Sequence, residues 1–128
     1  MTAKVIYNLL STSTAIAALV SDRIFPSRRL QESDLPAITY QNISNSPLNT
    51  KDGVSLLDTE RFSVNVWSTS YTNAAEIANL IRTRLDRYRG ILEGVNVDKI
   101  IFSDQNDMYE DWSEVHHIVL DFTIRVKR

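Results

Sequence analysis

The side chains with the most possible chemical roles in this sequence are two adjacent histidines, His116 and His117, because imidazole can act as a metal ligand, an acid or a base. They lie in a run of alternating apolar and polar residues that predicts a β-strand. Neighbouring side chains of a strand leave opposite faces, so the two histidines cannot bind one metal ion. A structural role is therefore the favoured interpretation. A small hydrolase or nuclease that uses either histidine stays open as an alternative.

Other catalytic patterns are missing from the sequence. There is no H-E-x-x-H spacing, and three glycines are too few for a phosphate-binding loop. Serine, histidine and aspartate are present without the elbow motif that would expose a nucleophile. The absence of cysteine excludes disulfides, a thiolate nucleophile and cysteine-based zinc sites. We therefore predict that the protein is not an enzyme and uses no metal or other cofactor.

An acidic segment occupies residues 104–114 and contains no basic residue. Its carboxylates do not follow the spacing of a calcium-binding loop, and no glycine lies at its centre. We predict a loop here, whose acids either receive arginines from an adjacent subunit or line the lumen of a ring of subunits. This acidic patch consists of Asp104, Asp107, Glu110, Asp111 and Glu114.

Four arginines precede the acidic segment and form a basic cluster of Arg82, Arg84, Arg87 and Arg89. Cations near the end of a helix are favourable by themselves, so two solvated faces are one interpretation of these charges. A nucleic-acid site is a second interpretation, although no interleaved aromatic residues support a stacking platform. The functional interpretation is a head-to-tail contact between copies of the chain, which can close into a ring.

The arginines of the basic cluster lie at the end of a predicted long helix that follows a predicted strand. In residues 58–68, Phe62, Val64 and Val66 alternate with polar neighbours, which predicts a strand with one buried face. Apolar residues then recur at helical spacing from residue 74 to residue 88. Residues 70–73 offer several N-caps, and Gly90 is placed to end the helix in a left-handed conformation. Such a helix buries its apolar stripe on a sheet.

Further strands are predicted at residues 37–45, 97–102 and 115–127, and two short helices precede residue 21. Clean alternation with a charged outer side in the last strand favours an antiparallel sheet covered on one face. We predict a single α+β domain spanning residues 1–128. It contains a mainly antiparallel four-stranded sheet, packed by one long amphipathic helix plus short N-terminal helices.

The connection from residue 46 to residue 57 is long for a compact domain. It carries four apolar residues, Leu48, Val54, Leu56 and Leu57. These side chains either fold back on their own domain and prolong the flanking strands, or dock on another subunit. We refer to residues 48–57 as the leucine loop.

Bulk composition limits the class of protein. Hydrophobic residues make up 43 % and charged residues 23 % of the chain, which is typical of a globular domain. The net charge of −2 gives no general attraction to nucleic acid or to an anionic membrane. The longest apolar run near the N-terminus, residues 15–20, is too short for an export signal or a membrane span.

Several segments together carry a family resemblance. In chain order they are Arg23-Ile24-Phe25-Pro26, Leu35-Pro36-Ala37-Ile38-Thr39-Tyr40-Gln41, Ser46-Pro47, Phe62-Ser63-Val64-Asn65-Val66-Trp67-Ser68, Ser70-Tyr71-x-x-Ala74 and His117-x-x-Leu120-Asp121-Phe122-Thr123-Ile124. In this order and at this length, the chain resembles the small tail-completion proteins of long-tailed bacteriophages. These are also described as tail-terminator or tail-to-head joining proteins.

The resemblance implies an α+β subunit that forms a hexameric ring at the head-proximal end of the tail tube. Such a ring would stop tube growth and join the tail to the head, while DNA passes without specific binding. The implied partners are copies of the chain, the tail tube protein and head connector proteins, with no membrane involved. The implied location is the virion tail, assembled in the host bacterial cytoplasm. The resemblance supplies no site residues.

Two alternatives remain open at this point. One is another head–tail connector component, such as a head-completion or minor tail protein. The other is a protein-binding module that offers residues 115–127 as a sheet edge.

Overall fold

The computed structural model describes residues 2–21, 23–26, 36–47, 57–110 and 115–127. Three helices and six strands occur in these ranges. In chain order they are α1 (Thr2–Ser11), α2 (Thr14–Val20), β1 (Ile24–Pro26), β2 (Ala37–Pro47), β3 (Leu57–Ser68), α3 (Tyr71–Leu85), β4 (Gly90–Leu92), β5 (Val95–Glu110) and β6 (Val115–Lys127).

The six strands form one mixed sheet in the order β1-β2-β3-β6-β5-β4. β1 runs parallel to β2, and the other neighbours are antiparallel. The prediction of a four-stranded sheet is therefore wrong, because β1 and β4 extend it at its two edges. Each of these strands has only three residues, which is too short for an alternation pattern to be recognised in the sequence.

The helices cover one face of the sheet, and the core lies between them. α3 packs on β3, β5 and β6, while α1 contacts α3 and β2. One long helix therefore does not describe the helical layer, since α1 and α2 contribute buried residues such as Ile6 and Ile16. The predicted inward positions of the last strand are confirmed. Each of them is less than a tenth exposed: Ile118, Leu120, Phe122, Ile124 and Val126.

The termini of α3 differ in how well the sequence predicted them. Ser70 caps the N-terminus, where its hydroxyl accepts from the Asn73 amide at 3.4 Å. The helix ends at Leu85, and Arg87 takes the left-handed conformation with φ 68°. The prediction that Gly90 ends the helix is wrong, because Gly90 begins β4.

Pairing with β5 explains the early end of α3. The Arg87 amide donates to the Ile100 carbonyl at 2.7 Å, and the Ile100 amide donates to the Tyr88 carbonyl at 3.1 Å. The Asp86 carboxylate also accepts from the Phe102 amide at 3.0 Å. The chain thus leaves the helix to satisfy backbone groups on this edge of β5.

The acidic segment is a strand up to Glu110, so the prediction of a loop at residues 104–110 is wrong. β5 continues to Glu110 in register with β6, with shifts at Asp98 and Ser103. The shift at Ser103 reverses which side chains face the helices. Residues 103–109 are all exposed, so this half of β5 has no apolar alternation that would mark it as a strand.

The two N-terminal helices confirm their prediction. The Ser13 hydroxyl caps α2 and accepts from the Ile16 amide at 3.4 Å. In the described ranges, no single helix is both long and apolar enough to cross a membrane. Only Ala3–Ser11 and Thr14–Val20, bent by 83°, meet that length and composition as a pair.

Candidate docking surfaces

Two arginines of the basic cluster make contacts within the chain. The guanidinium of Arg82 lies 4.3 Å from the centre of the Phe102 ring, which places a cation over an aromatic face. Arg84 donates from Nε to the Leu9 carbonyl at 2.9 Å and from Nη2 to the Thr12 hydroxyl at 3.0 Å. Arg84 therefore ties the end of α1 to the end of α3.

The other two arginines of the basic cluster follow α3 and are exposed. Arg87 and Arg89 lie in the connection to β4. Among the described residues, neither side chain takes part in an ion pair or a hydrogen bond. All four arginines are exposed, and these two guanidinium groups are the ones without a partner in the described part of the chain.

The acidic patch is divided between the two faces of the sheet. Asp104 lies opposite Asp121 on the face away from the helices, which we call the outer face. Asp107 lies opposite Ile118 on the helix face, where it accepts from the Tyr71 hydroxyl at 3.0 Å. The Glu110 side chain, Asp111 and Glu114 lie outside the described residues. Within the described ranges, no three histidine or acidic side chains come together as a metal site.

The two histidines lie on opposite faces, as predicted from their adjacency. His116 contacts two aromatic rings, with centroid distances of 5.5 Å to Tyr71 and 4.8 Å to Tyr109. His117 stacks on Trp67 with a centroid distance of 3.7 Å, and its Nε2 lies 2.7 Å from Asn65 Oδ1. Each ring is engaged in packing with its neighbours, so the structural interpretation of both histidines gains support.

The free edge of the sheet is not the predicted one. β6 lies between β3 and β5, so the prediction of a sheet edge at residues 115–127 is wrong. β4 pairs only with residues 95–97, and the described part of the chain places no strand beside residues 104–109. Met108 and Tyr109 are half exposed there, at 51 % and 50 %. An unpaired strand with exposed apolar side chains is typical of a docking edge.

Comparison with known proteins decides the family. Residues 4–127 match the family model described as Tail completion protein gp17. The chain belongs to this family. A chain from the virion of a native gene transfer agent (GTA) particle has the same fold, with a TM-score of 0.82 and 16 % identity. That match covers 96 % of this chain and 92 % of the other. None of the curated proteins matches this sequence.

Family membership makes this tail completion protein a structural protein of the virion tail, in agreement with the resemblance found in its sequence. Arg87, Arg89 and the free end of β5 (residues 107–109) are exposed candidate surfaces in the described part of the chain.

The leucine loop of the tail completion protein keeps its sequence-based interpretation. Leu48, Val54 and Leu56 lie outside the described residues, as does the side chain of Leu57, whose backbone begins β3. β2 and β3 pair up to Pro47 and Asp58, so the loop connects two strands that remain hydrogen-bonded to its base.

A groove that the sequence analysis did not single out lies beside the β4–β5 turn. Its volume is about 320 Å³, and the Asn8 amide donates to the Glu93 carboxylate across it at 2.9 Å. Glu93 and Gly94 form a two-residue turn with φ values of 52° and 74°. The glycine at its second position is the feature of the sequence from which this turn could have been predicted. The groove combines residues from α1, β2 and this turn, and sequence patterns do not connect such distant positions.

Tyr71 gives this tail completion protein a predicted alkaline sensitivity. Its hydrogen bond to Asp107, together with the charge of that carboxylate, raises the pKa of Tyr71 above the ordinary 10.0. Burial and the neighbouring Tyr7 also raise the pKa of Tyr40. A phenol whose pKa is higher in the folded chain stabilises the fold below the unfolded value, and this contribution is lost as pH rises through the folded value.

We therefore expect the free energy of unfolding to fall above about pH 10, and to fall less in Tyr71→Phe. Urea denaturation at a series of pH values from neutral to strongly alkaline measures this. Tyr40→Phe removes the second contribution and should also flatten the profile. Identical profiles for the wild type and both variants would contradict the prediction.

Proposed function

We propose that this tail completion protein forms a ring that caps the head-proximal end of the tail tube and joins the tail to the head. The family match over residues 4–127 is the observation that carries the proposal. A fold shared with a chain of a virion particle is consistent with it. The proposed partners are copies of the chain, the tail tube protein and head connector proteins, and DNA passes through without specific binding.

Opposite charges at the two ends of α3 support a head-to-tail contact between copies. Asp107 lies beside Tyr71 at the first turn of the helix, while Arg87 and Arg89 follow its last turn. The helix has 15 residues and is therefore about 22 Å long. A patch at one end of a molecule that fits a different patch at the other end generates a ring when the rotation closes.

The proposed ring contact therefore joins Arg87 and Arg89 of one copy to residues 107–109 of β5 in the next copy. Met108 and Tyr109 would supply apolar contact area beside the charges. We assign the leucine loop to a second contact, either with the neighbouring subunit or with the tube. Six copies in the ring is the number that the family resemblance implies.

Reversal of Arg87 and Arg89 to glutamate tests this function. We expect the double variant to bind tail tubes at least about tenfold more weakly than the wild type, because like charges then face each other in every ring contact. Electron microscopy of tubes assembled with purified protein should show wild-type caps and tubes of limited length. With the variant, tubes should lack caps and grow longer.

Lys99→Glu with Arg125→Glu is the matched control for the ring. It changes net charge by the same amount at exposed positions of two strands and should leave the caps intact. Caps that survive reversal of Arg87 and Arg89 would contradict the proposed contact. Wild-type protein that binds portal complexes and not tail tubes would instead favour a head-completion role and overturn the capping function.

A further inference from the structure

Two cations lie directly opposite each other on the outer face of the sheet. Lys99 of β5 is paired in register with Arg125 of β6, and both side chains are exposed. Like charges at directly opposite positions of antiparallel strands destabilise the pair. Arg61 of β3 is also exposed and lies opposite Thr123, so it is a diagonal neighbour of both Arg125 and Asp121. The neighbouring carboxylate, Asp98, is paired with Lys127 at 3.9 Å, and among the described residues neither Lys99 nor Arg125 has an ion pair of its own.

Two anions lie opposite each other further along the same strands. Asp104 of β5 is paired in register with Asp121 of β6, and Asp104 is exposed while Asp121 is half-buried. The Asp104 carboxylate accepts from the Gln105 amide at 2.9 Å and from the Asn106 side chain at 3.4 Å. These are local contacts with neutral groups, and they leave the negative charge of the pair in place.

The two pairs are too far apart to neutralise each other effectively. Arg125 and Asp121 are four residues apart in β6, which corresponds to about 13 Å. Charges at this distance are largely screened at physiological salt, where the Debye length is about 8 Å. Between them lie Ile101, which is half-buried, and Thr123, whose hydroxyl is 3.1 Å from that of Ser103. We call this surface, defined by Lys99, Arg125, Asp104 and Asp121, the charged face.

We propose that a second copy of this chain docks on the charged face through a two-fold axis near Ile101. Lys99 and Arg125 of each copy then lie against the aspartate pair of the other copy, and every like-charged pair gains two opposite charges. Both halves of the pattern lie on one face, and such a surface is complementary to its own copy after a two-fold rotation. The proposed ring contact uses different surfaces at the two ends of α3, so this inference goes beyond the proposed function and does not depend on it.

Sedimentation equilibrium of the purified chain, at low and at high salt, tests the contact. We expect a monomer–dimer equilibrium whose dissociation constant rises with salt, because opposite charges carry the contact. The all-acidic variant Lys99→Glu with Arg125→Glu should dimerise at least about tenfold more weakly, as should the all-basic variant Asp104→Lys with Asp121→Lys. An equimolar mixture of these two variants should regain a dimer, with one copy of each.

The matched control keeps this contact separate from the ring. Reversal of Arg87 and Arg89 to glutamate changes the net charge as much as the all-acidic variant does, and it should leave the dimer unchanged. Loss of tube caps in that control, with the dimer retained, would show that the two contacts are independent. If capping fails in the wild type while the charge-swapped mixture forms dimers, only the proposed function is overturned.

The single variant Lys99→Glu distinguishes docking from a purely structural role. It turns a repulsive cross-strand pair into an attractive one, so the melting temperature of the monomer should rise while dimerisation weakens. The inference is overturned by a wild-type chain that stays monomeric at every concentration. It is also overturned if the charge-swapped mixture yields no dimer, or yields an alternating assembly of more than two copies.

Discussion

Phe122→Ala is expected to lower the free energy of unfolding by about 3–5 kcal/mol, because it removes a fully buried aromatic ring and leaves a cavity. Phe122 lies in β6, the strand that pairs with both β3 and β5. Its direct neighbours across the sheet are Phe62 on one side and Phe102 on the other. The Phe122 and Phe102 ring centres lie 5.6 Å apart in an edge-to-face arrangement. Since domains are stable by only about 5–15 kcal/mol, this one change threatens the fold.

Urea denaturation of Phe122→Ala beside Phe102→Ala measures the effect. Phe102 belongs to the same aromatic pair but is only half-buried, in β5, so its truncation should cost distinctly less. Equal losses in the free energy of unfolding of the two variants would contradict the larger contribution expected from the fully buried Phe122.

Arg84→Met should lower stability by about 1–2 kcal/mol and loosen α1, because it removes two hydrogen bonds from a charged donor. Both bonds reach the end of α1, at the Leu9 carbonyl and the Thr12 hydroxyl. Methionine keeps the apolar stem of the side chain, so the change isolates the guanidinium group. Amide exchange in α1 should accelerate more than exchange in α3.

Arg82→Met is the matched control, with the same change of residue type and charge two positions away on α3. It removes a cation–π contact with Phe102, which is worth about 0.5–1 kcal/mol at an exposed site. Exchange in α1 should stay at the wild-type rate in this control. Faster exchange in both variants, to the same degree, would mean that Arg84 acts through the general charge of the helix.

The elements that the sequence predicted well are those that bury one face. Phe62, Val64 and Val66 in β3 and the inward residues of β6 are all buried, and their alternation follows directly from the sheet. The same holds for the apolar stripe of α3, where Ile77 and Ile81 are fully buried. These side chains are removed from water in the core and must be apolar, so their positions form a periodic pattern in the sequence.

The elements that were not predicted from the sequence have no such apolar pattern. β1 and β4 are too short for a period, and the exposed half of β5 has polar residues on both faces. The end of α3 depends on two backbone hydrogen bonds, one donated by Arg87 to Ile100 in β5 and one donated by Ile100 to Tyr88, which no local pattern predicts. Gly90 is a local signal for the end of a helix, but the helix ends earlier, at Leu85, because the residues after it pair with β5.

The candidate surfaces illustrate the same limit. The basic cluster was predicted as one unit, yet Arg84 bonds to a carbonyl 75 residues away while Arg87 and Arg89 remain open. The acidic patch was likewise treated as one loop, and the strand places Asp104 and Asp107 on opposite faces. Spacing along the chain predicts which charges are present. Their partners are set by contacts between elements distant in sequence.

The register shift at Ser103 divides β5 into two segments that are attached to the rest of the domain by different contacts. The segment before it is held by β4, by the turn after α3 and by Arg82 over Phe102. The segment after it is held in the sheet by β6 alone among the described strands, and bulged strands bend and twist more than regular ones. Its attachment to the helical layer is the hydrogen bond from Tyr71 to Asp107, so we expect this segment to tilt more readily against an adjoining surface than the segment before Ser103.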